Sequence, residues 1–278
     1  MSTPGVWSVL SGRLILDEPA SGAWNMAVDA AILGNFRAED RPTLRFYRWS
    51  QPTLSLGYFQ SIHDRSKHQE SATIDCVRRA TGGGAIIHHH ELTYSLTVPH
   101  ALRTAIASGS LYQTMHHAIV SALTRAGINV ARYGDRAKPE SGDEPFLCFQ
   151  RRTTEDLVIS GYKVGGSAQR RSAVGLLQHG SLLLSASWAA PQLPGLVELA
   201  GLKLNDETSK ATTSSSGLTD RPCSLRSWQN QLASDIASEM GQRFEIHWSR
   251  GILAAAEIEM AQRLRSERFG SASWNAKR

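Results

Sequence analysis

A chain of 278 residues, 41% hydrophobic and 20% charged, has the make-up of a globular protein with room for one large domain, or for a domain with a small appendage. No apolar run approaches the roughly 20 residues that cross a bilayer, and the opening MSTPGVWSVLSGRLILDEPA lacks the basic-then-apolar layout of a signal peptide, so no membrane partner and a cytoplasmic location are expected. Three widely spaced cysteines argue against a disulfide framework, and the net charge of +5, with no long basic arm or nucleic-acid motif, suits steering of acidic proteins better than binding of nucleic acid.

Along the chain, residues 23–36 (AWNMAVDAAILGNF) read as a helix, and TLRFYRW (43–49) and TLSLGYF (53–59) as strands punctuated by Pro52. ELTYSLTV (91–98) alternates, with Leu92, Tyr94, Leu96 and Val98 on one face and Thr93, Ser95 and Thr97 on the other. Ser110 is placed to cap a helix carrying Leu111, Met115, Ile119 and Leu123, and Gly127 to stop it. LVIS and YKVG around Ser160–Gly161 predict a hairpin, followed by a small-residue turn at Gly165–Ala168, and LLQHGSLLL (176–184) is a further strand. Residues 205–222 are polar and rich in Ser and Thr, a surface loop or a lid. SWQNQLASDIASEMGQRF and ILAAAEIEMAQRLRSERF then predict two amphipathic helices, and residues 223–278 are expected to pack on the domain formed by 1–222. Hairpins without a regular βαβ alternation indicate an α+β fold.

Three stretches carry residues suited to chemistry. RRATGGGAIIHHHELTYS (78–95) holds Gly82, Gly83 and Gly84 between two strand-like segments, either a tight turn or a loop that lets a ligand approach the backbone. It is neither a Walker loop nor a dinucleotide fingerprint. Strand alternation would place His88 and His90 on one face, but no third ligand follows, so no metal is expected. LCFQRRTTEDLVISGYKVGGSAQRR (147–171) sets Cys148 ahead of Lys163. A free cysteine is often a small core residue; beside a lysine ammonium it becomes a nucleophile, because the cation favours the thiolate. His179–Gly180–Ser181 puts a glycine inside a strand, a bulge or a point of close approach.

NMAVDAAIL, LRFYRWSQPTLSLGYFQ, RRATGGGAIIHHHELTYSL, GYKVGGSAQRR and LQHGSLLL together resemble, in order and spacing, the biotin/lipoate attachment superfamily over roughly residues 14–190, with RFGSASWN a weaker match near the end. The resemblance implies a biotin/lipoate protein ligase-like domain, with a mixed, largely antiparallel sheet flanked by helices. It implies an acyl tunnel lined by Arg78, Gly82, Gly83, Gly84, His88, Gly166, Ser167, Ala168, His179 and Gly180, with Lys163 at the acyl carbonyl. Two branches share these motifs: ATP-dependent lipoate–protein ligases, and octanoyltransferases that form a cysteine thioester. Cys148–Phe149 upstream of Lys163 is similar to the LipM type of the second. That branch implies octanoate passing from acyl carrier protein through Cys148 to a lysine of the glycine cleavage H protein or another lipoyl domain, without ATP or metal cofactor. The chain ends soon after these motifs, where many ligases continue into an accessory domain. Gly84, where this branch often has arginine, and the basic Gln150–Arg151–Arg152 depart from its pattern and bear on donor and acceptor choice. A non-catalytic module that binds the acyl carrier is the third alternative.

Overall fold

A computed structural model describes residues 10–100, 111–135, 145–204 and 224–277. The strands are β1 Leu10–Leu16, β2 Thr43–Tyr47, β3 Thr53–Leu56, β4 Asp75–Arg78, β5 Ile86–His88, β6 Glu91–Pro99, β7 Ala131–Arg132, β8 Leu157–Ile159, β9 Tyr162–Arg171, β10 Gly175–Leu183 and β11 Ile246–Arg250. The principal helices are α1 Gly22–Asn35, α2 Leu111–Arg125, α3 Leu225–Phe244 and α4 Ala255–Leu264. Ser21 and Ser224 cap α1 and α3, their hydroxyls accepting from the exposed N–H groups of the first turn. The proposed cap Ser110, the loop 205–222 and Cys223 lie outside the described residues.

Eight strands form one sheet in the order β11-β1-β2-β6-β10-β9-β8-β7, and β4-β3-β5 form a second. The first is parallel at β11-β1-β2 and antiparallel from β2 onward, giving the mixed α+β architecture expected. The parallel edge went unread in the sequence, because β1 and β11 lie more than two hundred residues apart and only tertiary contact pairs them.

Burial is two-sided. On the rear face Leu44, Phe46, Leu92, Tyr94, Leu96 and Val98 pack under α2 and α3, against Met115, Ile119, Leu232, Ile236 and Met240. On the front, α1 and α4 enclose Ile15, Met26, Val28, Tyr47, Trp49 and Ala261. A third cluster joins the small sheet to the segment before β8 through Leu54, Leu56, Ile87, Leu147, Phe149 and Leu183. Alternation in β6 was read correctly, yet all nine of its residues are buried. Its polar face meets protein: Thr93 accepts from Trp49 Nε1 at 3.0 Å, and Ser95 donates to Asp29 at 2.8 Å. Asp29 also receives Arg45 and the Tyr47 hydroxyl, so the front of the sheet is held by a satisfied polar network.

The Ser160–Gly161 hairpin forms as expected, with both loop residues at positive φ. The expected turn at Gly165–Ala168 is not a turn. These residues continue β9 and pair with Leu182, Ser181, Gly180 and His179 of β10, since small residues flanked by a partner strand keep the ladder. Pairing with β8 slips by one residue, from Leu157↔Gly165 to Val158↔Lys163, leaving Val164 as a β-bulge. Among the described residues no helix is long and apolar enough to cross a membrane.

Candidate active site

Between the front of the large sheet, α1 and the small sheet lies a slot of about 520 Å³, its open mouth included. Cys148, Gly82, Gly83, His88, Gly166, Ser167, Ala168, His179 and Gly180, all singled out in the sequence, line it. Met26, Tyr47, Ser55, Arg79, Ile86, Thr93, Phe149 and Ser181 line it too, and those were not foreseen.

Cys148 opens a single 3₁₀ turn and is fixed by its backbone. Its N–H donates to Ala85 O at 2.7 Å, and Ala85 N–H donates to Phe146 O at 3.0 Å. The thiol therefore hangs from the segment that follows the glycine loop. Lys163 reaches it from β9, Nζ donating to Sγ at 3.5 Å. In a regular strand residues 163 and 166 face opposite ways; the Val164 bulge turns both toward the slot. A Cβ at Gly166 would stand 2.8 Å from Lys163 Cε and 3.1 Å from Nζ, so glycine lets the ammonium sit there without being displaced. Asp156, absent from the sequence reading, completes the arrangement: its Oδ1 lies 2.9 Å from Nζ, and its Oδ2 accepts from Thr153 N–H. Both members of this ion pair are buried, which obliges them to stay together, since an unpaired charge at such a position is unfavourable.

The arginine pair divides differently from the expectation. Arg78 points away from the slot; its guanidinium donates to the carbonyls of Gly57, Gln60 and Asn275, tying the end of the small sheet to the C-terminal segment. Arg79 is the slot residue. It donates to Ser55 O, Gly82 O and Gly84 O and so holds the glycine loop, in which Gly83 takes φ +93°. Burial brings the Arg79 guanidinium down to about 10, opposed by the sulfur of Cys148. Successive residues at a strand end diverge, so the RR motif locates the pair without telling which one enters. Gly84 lies behind the lining, where a Cβ would stand 3.0 Å from the Cys148 nitrogen.

The histidines also sort by tertiary contact. His88 stacks on Trp49 at 3.8 Å and bonds Glu91 through Nδ1. Because β5 ends at His88, His90 does not share its strand face as expected; it stacks on His89 instead. Among the described residues no cluster could hold a metal ion. His179 meets the Thr81 hydroxyl through Nε2 at 2.7 Å and faces Asp29 through Nδ1 at 3.4 Å, closing the slot wall at its α1 end. Ser167 is no plain turn residue: its hydroxyl meets Tyr94 at 2.5 Å and His116 Nε2 at 2.6 Å on the rear of the sheet. Burial holds His116 down to about 4, hence neutral, with Nδ1 directed at Glu155 O. Cys76 is half-buried beside the small sheet, and burial pushes its thiol up, away from nucleophilic use.

Chemically, the site offers a thiol against an ammonium, small residues opposite it, and a slot behind. The model of the lipoyl protein ligase A/B catalytic domain family matches residues 21–234. Relatives named octanoyltransferase LipM include those of Symbiobacterium thermophilum, 32% identical over 96% of this chain and 98% of theirs, and Brevibacillus brevis, 32% identical over 96% and 99%. Among solved structures, a lipoate-protein ligase A bound with ATP superposes with a TM-score of 0.68 at 19% identity, covering 96% of this chain and 99% of that one. A bi-partite lipoate protein ligase from Thermoplasma acidophilum, described with its E2 lipoyl domain, gives 0.63 at 21% identity, covering 96% of each. These last two likenesses establish the fold.

Proposed function

Since the chain belongs to the lipoyl protein ligase A/B catalytic domain family, we propose that it is an octanoyltransferase of lipoate biosynthesis working through a thioester on Cys148. The observation that carries this reading is the contact of Cys148 Sγ, which lines the slot, with Lys163 Nζ at 3.5 Å. A cation in contact with sulfur favours the thiolate, the form that attacks a carbonyl.

The donor is octanoate carried as a thioester on acyl carrier protein. Its tail lies in the slot, where six methylenes at about 0.8 kcal/mol each contribute on the order of 5 kcal/mol before ordering costs. Cys148 adds to the carbonyl carbon, the π pair moves onto oxygen, and collapse expels the carrier thiolate. The glycine-bordered strand at Gly166–Ala168 and the Lys163 ammonium stabilise the oxygen. An acceptor lysine, on a lipoyl domain such as that of the glycine cleavage H protein, then displaces Cys148. A thioester is already activated, so the reading needs neither ATP nor metal.

Incubation with octanoyl carrier protein should add one octanoyl group to the intact mass, and Cys148→Ala should abolish the adduct while the protein stays folded. Octanoate transfer by the alanine variant that depends on ATP would instead identify a ligase. Stoichiometric carrier binding with no transfer would identify a binding module.

A further inference from the structure

The slot wall is rich in polar groups, and nearly all of them are committed to protein partners. Tyr47 donates to Asp29 at 2.9 Å, Thr93 to Glu91 at 3.0 Å, and Ser55 accepts from Arg79 at 3.2 Å. Thr81 and His179 bond each other, and His88 bonds Glu91. Among the described slot residues, two buried side-chain atoms have no partner: Arg79 Nε and Ser181 Oγ. Arg79 is anchored through Nη1 and Nη2, so its Nε direction is fixed. The Ser181 hydroxyl can rotate, and the residue is only 3% exposed. A buried hydroxyl without a partner is unfavourable, which makes it a candidate for a ligand contact.

Its position says which atom it would contact. Ser181 is the register partner of Gly166 on β9 and of Thr93 on β6. Neighbouring strands are spaced by about 4.8 Å, so its side chain borders the space left by the missing side chain of Gly166. A Cβ at Gly180 would press on Tyr94, behind the sheet, which confirms that Ser181 projects forward. On the other side of that space stands Lys163 Nζ, 3.1 Å from where a Gly166 Cβ would be. Two of its three donors are directed to Asp156 and Cys148.

We propose that Ser181 is a further catalytic residue, whose hydroxyl donates to the acyl carbonyl oxygen as Cys148 attacks, opposite the remaining N–H of Lys163. The inference rests on the octanoyl-transfer reading and adds a residue to it. As the Cys148–carbon bond forms and the π pair moves to oxygen, the Ser181 proton stays on Ser181 and strengthens its hydrogen bond; on collapse the carbonyl re-forms and the carrier thiolate leaves. No proton is transferred to or from the serine.

The test is single-turnover acylation by octanoyl carrier protein in wild type and Ser181→Ala. Loss of one donor to a developing oxyanion should slow acylation about 100-fold. The loss should be the same for hexanoyl, octanoyl and decanoyl donors, with the melting temperature unchanged or raised because a buried unpaired hydroxyl has gone. An unchanged rate overturns the proposal. So does a rate loss that tracks chain length, which assigns Ser181 to the tail, or one accompanied by a lower melting temperature, which assigns it to the fold. If wild type itself forms no adduct, the octanoyl-transfer reading fails separately, and binding of octanamide then decides the contact. Weaker binding to Ser181→Ala supports it, and equal binding overturns it.

Discussion

At Lys163 one ammonium serves two purposes, facing the Cys148 sulfur at 3.5 Å and the Asp156 carboxylate at 2.9 Å. Replacing Asp156 with Asn removes the counter-charge while keeping the shape, and breaking a buried pair from one side should destabilise the fold by about 3 kcal/mol, read from denaturant unfolding. The same variant lets the lysine swing off the thiol, so acylation slows as well. Gly166→Ala tests the site without replacing a charged group. Its methyl would stand 2.8 Å from Lys163 Cε, so single-turnover acylation should fall by more than about tenfold, since misplacement of a positioned group by an ångström can lower rates a hundredfold. Wild-type rates in this variant would mean that the ammonium need not lie where it is seen. The sequence named Cys148, Lys163 and Gly166 because they sit in recognisable motifs. Asp156 and Ser181 are less legible: the former is an acid in a loop-like stretch, and the latter is marked only by sharing a strand face with His179.

Among elements, β9 shows both the reach and the failure of local reading. Its hairpin was legible, because Ser160–Gly161 between apolar pairs selects a two-residue turn. Its small residues suggested a turn where a strand runs, because β10 supplies a full ladder of partners that composition does not reveal. The Val164 bulge was equally hidden, being a property of the pairing with β8. Behind the sheet, α2 presents His116 to Ser167, and this contact has a pH signature. Unfolded histidine takes up its proton near pH 6.5, whereas buried His116 does so only at about 4. Above pH 6.5 the contribution is fully present; as pH falls toward 4 the unfolded state gains the proton first and about 3 kcal/mol of stability is lost. His116→Gln should therefore show a shallower fall in melting temperature than wild type between pH 6.5 and 4, and parallel curves would refute a neutral buried imidazole.

On the scale of the molecule, four arginines gather beside the slot. Arg170, Arg171, Arg263 and Arg268 line a groove that shares Met26 and His179 with the slot, and no ion pair engages these four among the described residues. The one acid in the groove, Asp29, is held by Arg45. An acidic carrier steered to this face predicts that Arg171→Glu with Arg263→Glu lowers kcat/KM for octanoyl carrier protein about tenfold at low salt, less at high salt, and leaves a small uncharged octanoyl thioester unaffected. Equal loss with both donors would point to damage in the slot. The sequence by itself determined the principal helices and the strands of clear alternation, whose periodicity acts over a few residues, and it singled out Cys148 and Lys163 through their motifs. Tertiary structure alone decided that Arg79 rather than Arg78 enters the slot, that Asp156 balances Lys163, and that Ser181 faces the space over Gly166. Each of those outcomes depends on where segments distant in the chain meet, and on a one-residue slip in pairing that reverses which side of a strand faces the chemistry.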